Sequence, residues 1–219
     1  MLKAKANKTL YLWDLAGTIF LERWNKEKTG FDNVIKWVET YLGKKRSQMT
    51  DLEFEWAHKI PYASGWMFNL KLQPGFKGVL SWTKYNETFS IGNREQVKWR
   101  AKYLNPKVGF NILDYFQALN STFDYGSKNK KTVAMLVKYL AKRYQQGYET
   151  VVYTDDKLGN LKFFRQAADK IKARHKDFNF RIYHILNNKN DIKKKRGYWE
   201  VGNLLDLLEN EKKYYNNKE

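Results

Sequence analysis

Leu10-Tyr11-Leu12-Trp13-Asp14-Leu15-Ala16-Gly17-Thr18 joins an apolar run to a carboxylate and then to a turn that glycine permits. Thr9–Trp13 reads as a buried strand that delivers Asp14 to its carboxyl end. A carboxylate so placed is a candidate nucleophile, a metal ligand, or both. A second strand of this kind lies far downstream. Val151-Val152-Tyr153-Thr154 runs into Asp155-Asp156, with Asn160 in the polar turn beyond. Two strands ending in acids, in a chain that alternates strands and helices, imply a metal site at the carboxyl edge of a sheet.

The expected fold class is α/β, a doubly wound, mostly parallel sheet with helices on both faces. Gln73-Pro74-Gly75 marks a turn. Phe76, Val79, Leu80 and Trp82 follow with helical spacing, and Glu87–Ile91 reads as a strand stopped by Gly92-Asn93. Glu95–Leu104 reads as a helix ended by Asn105-Pro106. Ile112–Leu119 carries apolar residues toward a polar turn. Lys128–Lys131 is a basic cluster before an amphipathic helix whose stripe is Val133, Leu136, Val137, Leu140 and Tyr144. A helix over Leu158–Arg174 and a strand over Phe180–Ile185 come next. A basic loop, Lys193–Arg196, a short helix around Val201–Leu208 and a polar, frayed tail end the reading. Residues 19–72 read as helical and rich in aromatics: Val34, Ile35, Trp37, Val38, Tyr41 and Leu42 recur at helical spacing. Thr50-Asp51-Leu52-Glu53 there has the form of a capped helix start.

The 219 residues carry 41 Lys and Arg against 23 Asp and Glu, a formal charge of +18. That balance favours anionic partners, among them phosphorylated small molecules and nucleic acid. Lysine is also spread over the whole chain, as in a composition where charge has no partner in view. Lys44-Lys45-Arg46 and Lys193-Lys194-Lys195-Arg196 are the densest runs. The absence of cysteine excludes disulfides, thiolate zinc sites and cysteine nucleophiles. His58, His175 and His184 are too far apart for a metal-ligand spacing. No apolar run is long enough to span a membrane, and Asp14 interrupts the one near the start. A cytoplasmic protein with no membrane partner is expected.

With these elements in order, the chain resembles the haloacid dehalogenase-like (HAD) hydrolase superfamily. Asp14-Leu15-Ala16-Gly17-Thr18 is similar to that family's first motif, and Phe89-Ser90-Ile91-Gly92-Asn93 to its second. Lys130 or Lys131 fits the third, and Asp155-Asp156 with Asn160 the fourth. The resemblance implies a Rossmann-like core over residues 1–18 and 73–219, with a small helical cap inserted at 19–72. It further implies Mg²⁺-dependent phosphatase activity on a phosphorylated small molecule. Asp14 would be the nucleophile, and Asp14, the Ala16 carbonyl and Asp155 or Asp156 the metal ligands. Ser90 and Lys130 or Lys131 would hold the phosphoryl group, and Thr18, Gly92, Asn93 and Asn160 would contact substrate. A second alignment of the motifs takes Thr154 as the hydroxyl and Lys194 or Lys195 as the lysine, and makes residues 19–125 one large cap.

One position departs from the family pattern. Ala16 stands where most of its phosphatases carry an aspartate that protonates the leaving group and then activates water. A methyl group does neither. Glu22, Glu27 or Asp51 of the cap is a conceivable substitute. An impaired relative that binds nucleic acid or another polyanion is the alternative. Phosphonoacetaldehyde hydrolases, which share the alanine, use a cap lysine; Lys26, Lys28, Lys36, Lys44, Lys45 and Lys59 are available for that chemistry.

Overall fold

A computed structural model describes residues 8–91, 94–126, 130–187 and 192–216. In chain order its elements are β1 (Lys8–Trp13), β2 (Phe20–Trp24), α1 (Lys26–Thr29), α2 (Val34–Leu42), α3 (Asp51–Ser64), β3 (Phe68–Leu72), α4 (Phe76–Trp82), β4 (Asn86–Ser90) and α5 (Arg94–Val108). There follow β5 (Ala118–Ser121), α6 (Val133–Gln145), β6 (Tyr148–Asp155), α7 (Leu158–Arg174), β7 (Asn179–Ile185), β8 (Ile192–Lys195), β9 (Tyr198–Val201) and α8 (Leu204–Asn216).

β1 is apolar and buried from Leu10 to Trp13 because both its faces are covered there. Leu10 and Leu12 join the core cluster on one face, and Tyr11 and Trp13 the cluster on the other. The main sheet has the order β5-β4-β1-β6-β7-β9-β8, and every neighbouring pair is parallel except β8–β9. α4, α5 and α8 bury Phe76, Val79, Ala101, Leu104 and Leu204 on the Trp13 face. α6 and α7 bury Leu136, Leu140, Leu161, Phe164 and Ala168 on the Leu12 face. Successive strands go to one side of β1 through β4 and β5, then to the other through β6 and β7. β1 is therefore the switch point, where a crevice opens at the carboxyl ends of the strands. Because β4 and β5 belong to this sheet, residues 19–125 are not one large cap.

Residues 19–72 are less helical than the sequence reading expects. β2 and β3 pair antiparallel as a separate two-stranded ribbon that brackets α1, α2 and α3. Phe68 and Leu70 are buried while Asn69 and Lys71 are exposed, the period of two that a strand requires. α5 also departs from expectation. It passes through Pro106 and stops at Gly109, whose φ of 74° closes the last turn with its N–H on Asn105 O at 3.0 Å. The hydrogen bond that proline removes falls in that last turn, above the buried Leu104.

The basic loop is instead the edge strand β8, paired with β9. Lysines at a sheet edge discourage pairing with further strands. The expected short helix and frayed tail are replaced by α8, which continues to Asn216. Its length has a polar cause. Glu211 is wholly buried and accepts hydrogen bonds from Tyr11 Oη at 2.7 Å and Tyr183 Oη at 2.7 Å. Arg181 adds Nε at 2.7 Å and Nη2 at 2.6 Å. A buried carboxylate is tolerable only with such a set of partners. Among the described residues no helix is long and apolar enough to cross a membrane.

Removing Glu211 leaves the Arg181 guanidinium buried without its carboxylate. Glu211→Ala is expected to lower stability by about 3–5 kcal/mol in urea unfolding, and Glu211→Leu combined with Arg181→Met to recover most of that. A loss below about 1 kcal/mol would place the cluster among surface ion pairs.

Candidate active site

β1 and β6 are parallel neighbours in the register Trp13↔Thr154, so Asp14 and Asp155 leave the sheet at the same level. The Asp14 N–H donates to Thr154 O at 2.9 Å, which fixes the turn at its start. Lys131 enters from the other side, just before the residue that caps α6, Thr132. Of the two candidate lysines it is Lys131 that is buried, whereas Lys130 is exposed. Lys131 Nζ lies 2.7 Å from Asp14 Oδ1, 2.7 Å from Asp155 Oδ2 and 2.9 Å from Tyr153 Oη.

The three acids are used unequally. Asp155 is fully buried and saturated. Besides Lys131 it accepts from Tyr153 Oη at 2.5 Å, from the Lys157 N–H at 2.9 Å and from Asn160 Nδ2 at 3.1 and 3.0 Å. Asp156 is different: its Oδ1 is buried with no hydrogen-bond partner among the described residues. One oxygen from each of Asp14, Asp155 and Asp156 lies within 4.8 Å of the others, a spacing that fits one cation. Such a donor set of hard, anionic oxygens suits Mg²⁺.

One ammonium faces three carboxylates, and the pKa shifts follow. Burial first, and then the charge of Asp155, push Asp14 up to about 7 against the pull of Lys131. Asp156 is raised for the same two reasons in the same order. Burial opposes the Lys131 ammonium, but Asp14 and Asp155 outweigh it and hold its pKa above the ordinary lysine value. Tyr153 is raised by burial and by Asp155, so it stays a phenol and a donor.

The remaining candidates separate. Ser90 ends β4 beside β1, buried, with its Oγ donating weakly to Ile91 O at 3.3 Å; with Leu15, Arg94 and Ser121 it lines a small cavity. Thr18 is wholly buried, and its hydroxyl has no partner among the described residues. Asn160, expected to contact substrate, spends its amide on both oxygens of Asp155. Gly92 and Asn93 lie outside the described residues. His184 Nε2 lies 3.0 Å from Asp156 O. Among the substitutes for the missing second aspartate, Glu22 reaches the cleft beside Gly17, but Arg100 holds both its oxygens at 2.6 and 2.9 Å. Asp51 is exposed and paired with Arg46, and Glu27 is exposed on α1. None of the six cap lysines considered above lines that cleft.

Tyr153 escapes the sequence reading, and so does the packing of Gly17 on Asp156. Tyr153 stands two residues before Asp155 in a strand, hence on the same face, and that spacing alone marks it. Gly17 has a φ of 78°, and a Cβ there would collide with the Asp156 carboxylate. Its role depends on a contact between residues far apart in sequence.

The fold has counterparts among solved structures. A HAD-superfamily hydrolase of subfamily IA from Geobacter sulfurreducens superposes with a TM-score of 0.54 at 11% identity, over 93% of this chain and 99% of that one. The chain has the HAD-like fold. A HAD-hydrolase from Bacillus subtilis, solved bound to magnesium, gives a TM-score of 0.53 at 13% identity over 93% and 97% of the two chains. A predicted phosphoglycolate phosphatase from Haemophilus somnus gives 0.52 at 11% identity over 94% and 99%. No protein-family model and no curated protein sequence matches the chain. Within the HAD-like fold, the acids occupy the switch point of the doubly wound sheet.

Two outcomes are expected from this geometry. Gly17→Ala should cost about 1–2 kcal/mol from its backbone conformation alone, with a further steric loss that Asp156→Ala relieves in the double variant. Equal losses in the single and double variants would remove Asp156 from the argument. The second outcome concerns pH. Between pH 3.8 and about 7 the folded chain keeps a proton on Asp14 that the unfolded chain has lost. The resulting cost to stability grows as pH rises through that window and is complete above it. Asp14→Asn removes this cost, so the metal-free variant should melt above wild type at about pH 8 but not at about pH 4. A lower Tm at the higher pH would show that Lys131 dominates instead.

Proposed function

We propose that the chain hydrolyses phosphate esters with a divalent cation, Mg²⁺, and that Asp14 is the nucleophile. The observation that carries this reading is the division of labour around Lys131. Asp155 is saturated, while Asp156 Oδ1 has no partner and Lys131 takes Asp14 only through Oδ1. Asp14, Asp156 and the Ala16 carbonyl would hold the ion, with Asp155 fixing Lys131. Once bound, the ion would offset the repulsion between carboxylate and phosphate.

Asp14 attacks phosphorus, and the bond from phosphorus to the ester oxygen breaks. The ester oxygen departs with the bonding pair as an alkoxide that takes its proton from solvent, and an aspartyl-phosphate remains. Water attack on its phosphorus releases phosphate and restores the Asp14 carboxylate. Lys131 keeps Asp14 aimed and balances charge as it builds. Ser90 donates to a phosphoryl oxygen after turning from Ile91 O, and Gly92 and Asn93 lie next to it in sequence. Asn160 acts indirectly, by holding Asp155. Residues 19–72 serve as the cap, with the β2–β3 ribbon standing beside Gly17.

Ala16 supplies no proton to the departing alcohol, so esters of acidic alcohols are the better substrates. Aryl phosphates are expected to turn over faster than alkyl phosphates, with loss of activity in EDTA and in Asp14→Asn. Ala16→Asp should raise alkyl ester turnover by roughly 10²-fold and aryl turnover by much less. Metal-independent turnover, or activity that survives Asp14→Asn, would sink the proposal.

One observation favours a second reading, polyanion binding without turnover. The β8–β9 edge gathers Lys194 over the Trp199 ring at 5.6 Å, next to Lys195 and Arg165 in one cleft. Base stacking beside cations is how single strands are held. Oligonucleotide affinity that falls steeply with salt and is weakened by Trp199→Ala would support it; salt-independent binding, or none, would not.

A further inference from the structure

The ribbon presents a face that the chemistry at Asp14 does not use. In the antiparallel pairing Leu21 lies opposite Lys71 and Arg23 opposite Asn69. Alternation puts these four on one side, while Phe20, Leu70 and Phe68 are buried on the other. Arg23 and Lys71 are diagonal neighbours across the ribbon, roughly 7–8 Å apart at the backbone. Both side chains are exposed.

This face lines a cleft of about 590 Å³ together with Gly17, Glu22 and Asn187. A volume of that order takes a small organic ligand. Gly17 ties the cleft to the acids, since it packs directly on the Asp156 carboxylate. Asn187 closes the same edge, its Nδ2 donating to Gly17 O at 2.7 Å. Gln73 in turn donates to Asn187 Oδ1.

Of the basic residues of 19–72, it is Arg23 and Lys71 that line this cleft. Four basic residues of 19–72 meet carboxylates, Lys26 with Asp32, Lys36 with Glu39, Lys44 with Glu53 and Arg46 with Asp51, whereas Lys28, Lys45 and Lys59 have no such partner among the described residues but do not line the cleft. Arg23 and Lys71 have no carboxylate partner among the described residues. Glu22, the acid next in sequence, belongs to Arg100. Two cations without a carboxylate partner among the described residues thus line a cleft that reaches Gly17, which in turn lies against the Asp156 carboxylate.

Resting on the hydrolase reading for the reacting end, we propose that the substrate is a small phosphate ester with a second anionic group, held by Arg23 and Lys71. Charge-assisted hydrogen bonds from a guanidinium and an ammonium would hold that group while the ester phosphate lies at Asp14. Asn69, opposite Arg23, adds an amide to the same face.

Three esters of matched length test this: propyl phosphate, its ω-carboxylate analogue and propanediol bisphosphate. Wild type is expected to favour an anionic tail over the methyl end by about tenfold in kcat/KM, and Arg23→Gln and Lys71→Gln each to shrink that ratio toward one. The carboxylate and phosphate arms identify which anion is preferred. A ratio near one in wild type, or a ratio kept in both variants, overturns the proposal. The same three tails on phosphonates, titrated calorimetrically in the presence of Mg²⁺, separate it from the hydrolase reading. If no ester turns over but tail-dependent binding is lost in both variants, the cleft stands and the hydrolase fails. Binding indifferent to the tail overturns the cleft whatever the turnover.

Discussion

A single buried ammonium organises this molecule. Lys131 has no exposed surface at its side chain and joins Asp14, just past β1, to Asp155 on β6. An unpaired charge at that depth would cost several kcal/mol, so the two strands and the start of α6 must converge on it. That requirement fixes the register of the acids, the position of α6 and the need for Tyr153 as a neutral donor. It also leaves a surplus of negative charge, because one cation faces three carboxylates. The site is held together by a charge it only partly neutralises.

Much of the architecture follows from periodicity. The apolar runs at Leu10–Trp13 and Val151–Thr154 are long enough and bare enough of polar residues to require burial on both faces. α6 was legible from the stripe of Val133, Leu136, Val137, Leu140 and Tyr144, and α7 over Leu158–Arg174. β5 was not, because Ala118–Ser121 is short and its exposure is intermediate along most of its length. β2 and β3 hid in a stretch whose helices are strongly patterned, and the part of α8 beyond Leu208 hid behind polar letters. In α8 the decisive residue, Glu211, is one that any hydropathy reading places outside; only its partners on β1 and β7 explain its burial.

The acids were legible for a different reason: each ends an apolar run. The choice between Lys130 and Lys131 was not, since adjacent residues with identical side chains differ only in direction. Asn160 is instructive as well. A polar residue one turn into a helix after an acid reads as a ligand contact, yet here it serves the acid before it. Ala16 was visible from the first, and its meaning is chemical rather than structural: the backbone of the turn is unaffected by a methyl group.

The Glu211 cluster has a bearing on how the chain is made. Tyr11 and Glu211 are separated by 200 positions. At a synthesis rate of 5–20 residues per second, roughly 10–40 s pass between the two leaving the ribosome. During that interval the Tyr11 side of the sheet lacks both the α8 cover and the carboxylate that its phenol and Arg181 require. The Tyr11 face therefore stays uncovered until α8 arrives, while Arg181, made 30 residues before Glu211, waits only roughly 1.5–6 s for its carboxylate.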